Sequence, residues 1–224
     1  MFLYRDVSIR RTGHDGFRLE KGPVCIYVDP FKLDPSLVKA ATAVLITHEH
    51  FDHLSIEDLQ KVVSPETIIV CHPQSRAALD KIKYGEVRVL RPGESTELAG
   101  VKVTAVPAYN TNKYRDPVTK LVYHPKEDGK LGYLIDMGGT RIYHAGDTDD
   151  IPEMEEIACD VALLPVSGTY VMTAEEAAEA ARKIAPKVAI PMHYGSIVGE
   201  EADAQTFAKL LEGTGIDVEI LAAG

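Results

Sequence analysis

Short apolar runs bounded by polar or turn-forming residues recur along the chain, at strand length rather than helix length. They predict strands over 24–30 (VCIYVDP), 43–47 (AVLIT), 67–71, 87–90, 101–107, 131–137, 141–145, 161–166, 187–192 and 218–221. Helices fall between several of them. Ser55 with Asp58, and Thr173 with Glu176, resemble capping boxes, and the second opens the helical stretch TAEEAAEAARKIA. A third helix is predicted over 202–211, where Phe207, Leu210 and Leu211 share a face. Residues 107–130 show no period and contain three prolines, which predicts a long functional or mobile loop. With no linker, low-complexity tract or solenoid repeat, the pattern predicts a single domain over 1–224 of α/β or α+β class.

Composition narrows the setting. The 224 residues are 45% hydrophobic and 26% charged, an ordinary globular balance, and no stretch approaches the roughly 20 apolar residues that cross a bilayer. Arg5, Asp6, Arg10 and Arg11 stand where a secretory signal has its apolar centre, so a soluble, cytoplasmic protein is expected. Cys25, Cys71 and Cys159 are odd in number and form no CxxC spacing, which reads as core cysteine rather than a disulfide or zinc ribbon. A net charge of -10 argues against general binding to nucleic acid or to anionic membranes and leaves a small molecule as the expected partner. Assembly into a homo-oligomer stays open.

One segment changes the picture. THEHFDH, residues 47–53, places three histidines and two carboxylates directly after the strand AVLI. If the chain stays extended, His48 and His50 point to the same side and can share an ion, while Asp52 and His53 turn toward a second. An isolated HxH is most often a solvated loop. Here, however, the run RIYHA is followed by Asp147 and the run KVAIPM by His193, so metal-capable side chains follow three strand ends. Neighbouring strand ends line one edge of a sheet, where such donors can converge. This nitrogen and oxygen mix suits zinc, manganese, iron or nickel. HEHFD lacks the second histidine of HExxH, and there is no GxGxxG, Walker lysine or GxSxG.

These residues resemble the metallo-β-lactamase superfamily: the HxHxDH signature reads as His48, His50, Asp52 and His53, with the GDT aspartate at Asp147 and the last histidine at His193. TGHDGFRL, YVDP, YHAGDTD and LLPVSGTY are similar to the branch containing ascorbate-6-phosphate lactonase and N-acylphosphatidylethanolamine phospholipase D. The resemblance implies a four-layer αββα sandwich with a dinuclear site at one edge. It implies that His48, His50 and a third histidine hold the first of two divalent transition metals, that Asp52, His53 and His193 hold the second, and that Asp147 bridges them. The third histidine's expected place holds Asn110, a weaker donor, so the first metal is expected to be loosely held unless His124 folds back to replace it.

Metal-bound hydroxide is then the expected nucleophile, oriented by Asp52 as the catalytic residue, on a small ester such as a phosphodiester or lactone. A catalytically silent metal-binding interaction module of the same fold is the alternative. The fold also hosts diiron enzymes, but these normally need a flavin-bearing domain, for which this length leaves no space. In the 107–130 loop, Lys113, Arg115, Lys120, Lys126 and Lys130 outnumber Asp116, Glu127 and Asp128, which suits an anionic substrate as well as it suits an ordinary solvated loop. His14 either approaches the site or bonds within its turn, His144 is expected to support the ligands, and His72 is expected to take no part in chemistry. Tyr109 and Tyr194 flank the expected mouth, where a phenol can contact substrate; a buried tyrosine with a satisfied hydroxyl is the commoner alternative.

Overall fold

The computed structural model describes residues 1–224 as two seven-stranded sheets that share one core. The first sheet runs in order β1 (Phe2–Tyr4), β2 (Val7–Gly13), β3 (Gly16–Lys21), β4 (Val24–Val28), β5 (Ala43–Ile46), β6 (Ile68–Cys71) and β7 (Glu86–Val89). The second contains β8 (Ser95–Leu98) and β9 (Val101–Pro107), followed after the small hairpin β10 (Tyr114–Asp116) and β11 (Leu121–Val122) by β12 (Leu131–Asp136) and β13 (Arg141–His144). It is completed by β14 (Val161–Pro165), β15 (Val188–Met192) and β16 (Asp217–Val218), in spatial order β16-β15-β14-β13-β12-β9-β8. The neighbours β4 to β7 pair in parallel, as do β13 to β16.

Alternation explains why the first sheet is covered on both faces. Ile26, Val28, Ala43, Leu45 and Val70 point to the large core between the sheets, whereas Cys25, Tyr27, Val44, Ile46, Ile69 and Cys71 point outward to a second apolar cluster. That outer cluster is closed by Leu59 and Val62 of α1 (Ile56–Val62) and by Leu79. On the other side, α2 (Ala174–Ile184) lays its small face, Ala177, Ala178, Ala180 and Ala181, into the large core with Phe207 of α3 (Glu201–Leu210). Helix, sheet, sheet and helix therefore form four layers. No helix is long and apolar enough to cross a membrane.

The capping signals act differently in detail. Thr173 and Glu176 form a reciprocal capping box. Ser55 accepts from the Asp58 amide, but the Asp58 carboxylate takes the Ser55 hydroxyl rather than its amide and also accepts the amides of Lys32 and Leu33, tying α1 to the segment after β4. Two strand limits move: β4 ends at Val28 because Asp29 has left-handed backbone (φ 43°), and the strand expected over 218–221 shrinks to Asp217–Val218. The loop over 107–130 contains the hairpin β10/β11, and the opening strands β1, β2 and β3 form an antiparallel meander.

Candidate metal centre

Strand ends deliver the polar groups. The chain leaves β5 into Thr47 and His48, leaves β13 into the Gly146–Asp147 turn, leaves β15 into His193 and leaves β4 into Asp29. Gly146 is required: it has φ 65°, and a Cβ there would meet the Leu131 carbonyl oxygen at 2.5 Å. The β2–β3 turn adds His14 and Asp15 from the opposite side. Gly16 makes that turn possible, since a Cβ would lie 2.4 Å from the Thr12 hydroxyl. His14 and His193 are both left-handed (φ 48° and 59°), strained backbone of the kind that collects at functional sites. The His193 amide donates to the His14 carbonyl and their rings lie 4.1 Å apart.

Two groups of donors result. In the first, His48, His50, His124 and Asp147 bring one ligand atom each within 4.8 Å of all the others. His50 Nδ1 lies 3.0 Å from His48 Nε2 and 3.4 Å from His124 Nε2, while Asp147 Oδ2 lies 3.8 Å and 3.6 Å from those two nitrogens. The second group is His14, Asp15, His53 and His193. Asp147 reaches it with its other oxygen: Oδ1 lies 3.2 Å from His53 Nε2 and 3.6 Å from His193 Nε2. Four ligands at about 2.1 Å around a tetrahedral ion lie about 3.4 Å apart, so these separations fit a cation in each group.

His48, His53, His124 and His193 are held through their Nδ1 atoms. His53 Nδ1 donates to Asp29 (2.8 Å), His124 Nδ1 to Asn110 Oδ1 (2.8 Å) and His193 Nδ1 to the Ser167 hydroxyl (2.9 Å). His48 Nδ1 donates to the Thr47 hydroxyl (3.0 Å), which itself donates to Asp29 (2.6 Å). In each case the bonded Nδ1–H leaves the Nε2 lone pair facing the centre, the tautomer a metal ligand needs.

Electrostatics points the same way. Asp15 Oδ1 and Oδ2, Asp147 Oδ1, and Nε2 of His14, His53 and His193 are buried and have no hydrogen-bond partner. Such orphans are costly one at a time, and six around one point describe a cradle for cations. Burial lowers His14 and His124 to about 4, and likewise pushes His48 well below the ordinary histidine value. Burial also acts against charge on His53, but Asp147 and Asp29 outweigh it and raise that ring. His193 is likewise raised, by Asp15 and Asp147 against its burial. Burial lifts the Asp15 carboxyl to about 8.

Asp52 stands outside both mutually close groups, with Oδ2 3.3 Å from His14 Nε2 and 3.8 Å from His53 Nε2. It lines a cavity of about 310 Å³ with His50, His124, Asp147, Phe51, Tyr123, Tyr170 and Ile197. His144, fully buried, donates from Nε2 to the Asp15 carbonyl (2.8 Å) and accepts the Gly146 amide at Nδ1, so it ties the hairpin turn to the Asp147 turn. His72 Nε2 donates to the Asp128 carbonyl.

Several expectations need correction. Asn110 makes no contact with substrate or metal space: its oxygen takes both His124 protons, backbone and ring, and its amide donates to Asp149 and the Tyr170 carbonyl. Tyr109 turns its hydroxyl to Glu153, and Tyr194 is fully buried with its ring 3.9 Å from the Arg11 guanidinium, so neither lies at the mouth. Tyr123 and Tyr170 stand there instead. The loop's positive charge is largely spent: Lys113 pairs with Glu176, Lys126 with Glu153 and Lys130 with Glu49, and no lysine or arginine lines the cavity. Asp15, Asp29, Thr47 and Ser167 carry roles that the residue pattern did not assign. For Asp15 the available signal was HD between two glycines at a tight turn, and for Asp29 an aspartate closing a strand beside the histidine loop.

Comparison with known proteins agrees with this architecture. Residues 8–193 match the family described as the beta-lactamase superfamily domain. The chain is 33% identical to a metal-dependent hydrolase of Archaeoglobus fulgidus, over 96% of this chain and 95% of that one, and 34% identical to one of Thermoplasma acidophilum, over 90% and 89%. A crystal structure from Parabacteroides distasonis, assigned as a metal-dependent hydrolase, superposes with TM-score 0.82 at 36% identity, covering 96% of this chain and 92% of that one. These matches reach the superfamily and not the lactonase and phospholipase branch that the motifs resemble. The chain belongs to the beta-lactamase superfamily, among its metal-dependent hydrolases, and has the metallo-β-lactamase fold.

Proposed function

We propose that this protein hydrolyses a small ester, of the phosphodiester or lactone class, with two divalent transition-metal ions held by the two donor groups. The observation that carries this reading is the Asp147 carboxylate, which offers one oxygen to each group at the floor of an open cavity. Two such ions, when bound by these donors, would supply an acidified water and stabilise charge on the attacked group. The chain's own residues do the rest. Asp52, on the cavity wall, accepts the proton of the attacking water and passes it to the leaving group. Burial opposes its ionisation, but contact with His14 together with the nearby His53 outweighs it and holds the carboxyl below its ordinary value, so Asp52 is ionised and has a site for the proton. His14, kept neutral by burial, fixes the direction of that carboxylate.

The anionic character expected of the substrate now rests on its reacting group alone, because the walls offer no cation. Phe51, Tyr123, Tyr170 and Ile197 favour an apolar or aromatic substituent beside that group. Metal analysis of the purified protein, coupled to turnover of aryl phosphodiesters, aryl esters and lactones, tests the proposal. Activity lost on chelation and restored by zinc, manganese, iron or nickel supports it. Bound metal with no turnover across that panel favours the silent module, and full activity in an Asp52→Ala, His193→Ala double variant contradicts the assignment.

A further inference from the structure

The Asp15 carboxylate has no task in the ligand set that the motifs imply, yet the fold goes to some length to place it. It is completely buried, and neither oxygen has a hydrogen-bond partner. The turn that carries it is locked from several sides. Arg11 Nε and the His193 amide both donate to the His14 carbonyl, His144 donates to the carbonyl of Asp15 itself, and Gly16 admits no side chain. A carboxyl group fixed in the interior with neither oxygen hydrogen-bonded is costly, and a cation held between it and the neighbouring donors would satisfy it.

The distances say where that cation would sit. Asp15 Oδ2 is 3.6 Å from His53 Nε2, which is 3.2 Å from Asp147 Oδ1, which is 3.6 Å from His193 Nε2. These are the edge lengths expected for ligands about 2.1 Å from one ion. We propose that Asp15 is a ligand of the second metal ion, completing with His53, His193 and Asp147 a donor set of two imidazoles and two carboxylates; this rests on the dinuclear reading above. The first group offers three imidazoles and one carboxylate oxygen. Oxygen donors suit harder cations, so the second position favours manganese over zinc more strongly than the first does, and Asp15 sets that difference.

Asp15→Asn and Asp15→Ser, stripped with chelator and reloaded with manganese or zinc, test this by metal content and by the rise in Tm that metal induces. Wild type is expected to hold two ions per chain. The variants are expected to hold one, with affinity at the second position down about a hundredfold or more, a smaller metal-induced rise in Tm, and a reduced preference for manganese. The stripped variants are expected to melt at or above stripped wild type, because a buried carboxyl with no hydrogen-bond partner is gone; this reports that they fold. Asp15→Glu is expected to recover part of the second ion. Two ions held with wild-type affinity in Asp15→Asn and Asp15→Ser overturn the role of Asp15 while leaving the dinuclear reading intact. A wild type that binds no ion overturns both.

Discussion

The two donor groups grow from one seven-residue loop and share Asp147, yet they are built to different rules. The first is rich in nitrogen, with His50 and His124 on the cavity wall, and its rings are steered by neutral partners: Thr47 for His48 and Asn110 for His124. The second is sealed, with His14, Asp15, His53 and His193 at most 1% exposed, and its rings are steered or charged by carboxylates. The contrast teaches that a common ligand loop does not fix the character of either position. The segments that arrive from elsewhere do: the 107–130 loop for the first group and the β2–β3 turn for the second.

The sharpest way to break the comparison is to remove what the groups share. Asp147→Ala is expected to weaken metal binding in both groups and to lower kcat/KM by about three orders of magnitude or more, roughly 4 kcal/mol of transition-state stabilisation; steady-state kinetics with metal analysis reads this. Retention of either ion at full affinity would show that the carboxylate does not bridge. Next come substitutions that separate the groups. Asn110→Ala frees the His124 ring and is expected to cost the first position about 10- to 100-fold in metal affinity, and Asp29→Asn is expected to do the same to the second through His53. Equal losses at both positions in both variants, measured by competitive metal titration, would erase the distinction. A smaller effect is expected at the rim: Tyr170→Ser is expected to raise KM about tenfold or less for aryl substrates and to leave kcat nearly unchanged.

Acid response sharpens the comparison further in the metal-free protein. His124 stays neutral to about 4 in the folded state, whereas in the unfolded chain it protonates near about 6.5. The unfolded state therefore takes up the extra proton, and this contribution to stability is present above about pH 6.5 and lost as pH falls toward about 4. His193 has the opposite sign. Its raised value lets the folded state hold a proton first, so its contribution is full below the ordinary histidine value and is lost as pH rises through the raised one. Urea midpoints at pH 7 and pH 5 are expected to show a shallower acid loss in His124→Gln and a steeper one in His193→Gln. A shift of both in the same direction would contradict these environments.

Much of this was legible in the sequence where a residue's role follows from its strand. Runs such as AVLI and VALLP are buried on both faces and announce themselves, and a donor that follows a strand end arrives at the sheet edge with its neighbours. His124 was legible only as an alternative, because its place depends on a 14-residue return of the chain to Asn110, held by side-chain hydrogen bonds. Tyr109 follows the commoner alternative of a buried ring with a satisfied hydroxyl, and Tyr194 is buried over Arg11, because adjacency to the site does not fix which way a ring points; Glu153 and Arg11 decide that from distant parts of the chain. Loop charge left two readings open for the same reason, as Glu176, Glu153 and Glu49 neutralise Lys113, Lys126 and Lys130 across the fold. β1 and β2 escaped the pattern because VSIRRTG carries two arginines, of which Arg11 is buried against backbone carbonyls rather than solvated.

Anomalous diffraction from crystals grown with manganese or zinc addresses the central claim without any assumption about substrate. The expected map has two peaks about 3.5 to 4 Å apart, one among His48, His50 and His124, the other beside His53 and His193, with the Asp147 carboxylate between them. A map with no peak at saturating metal, or with a single peak away from Asp147, would contradict the dinuclear centre.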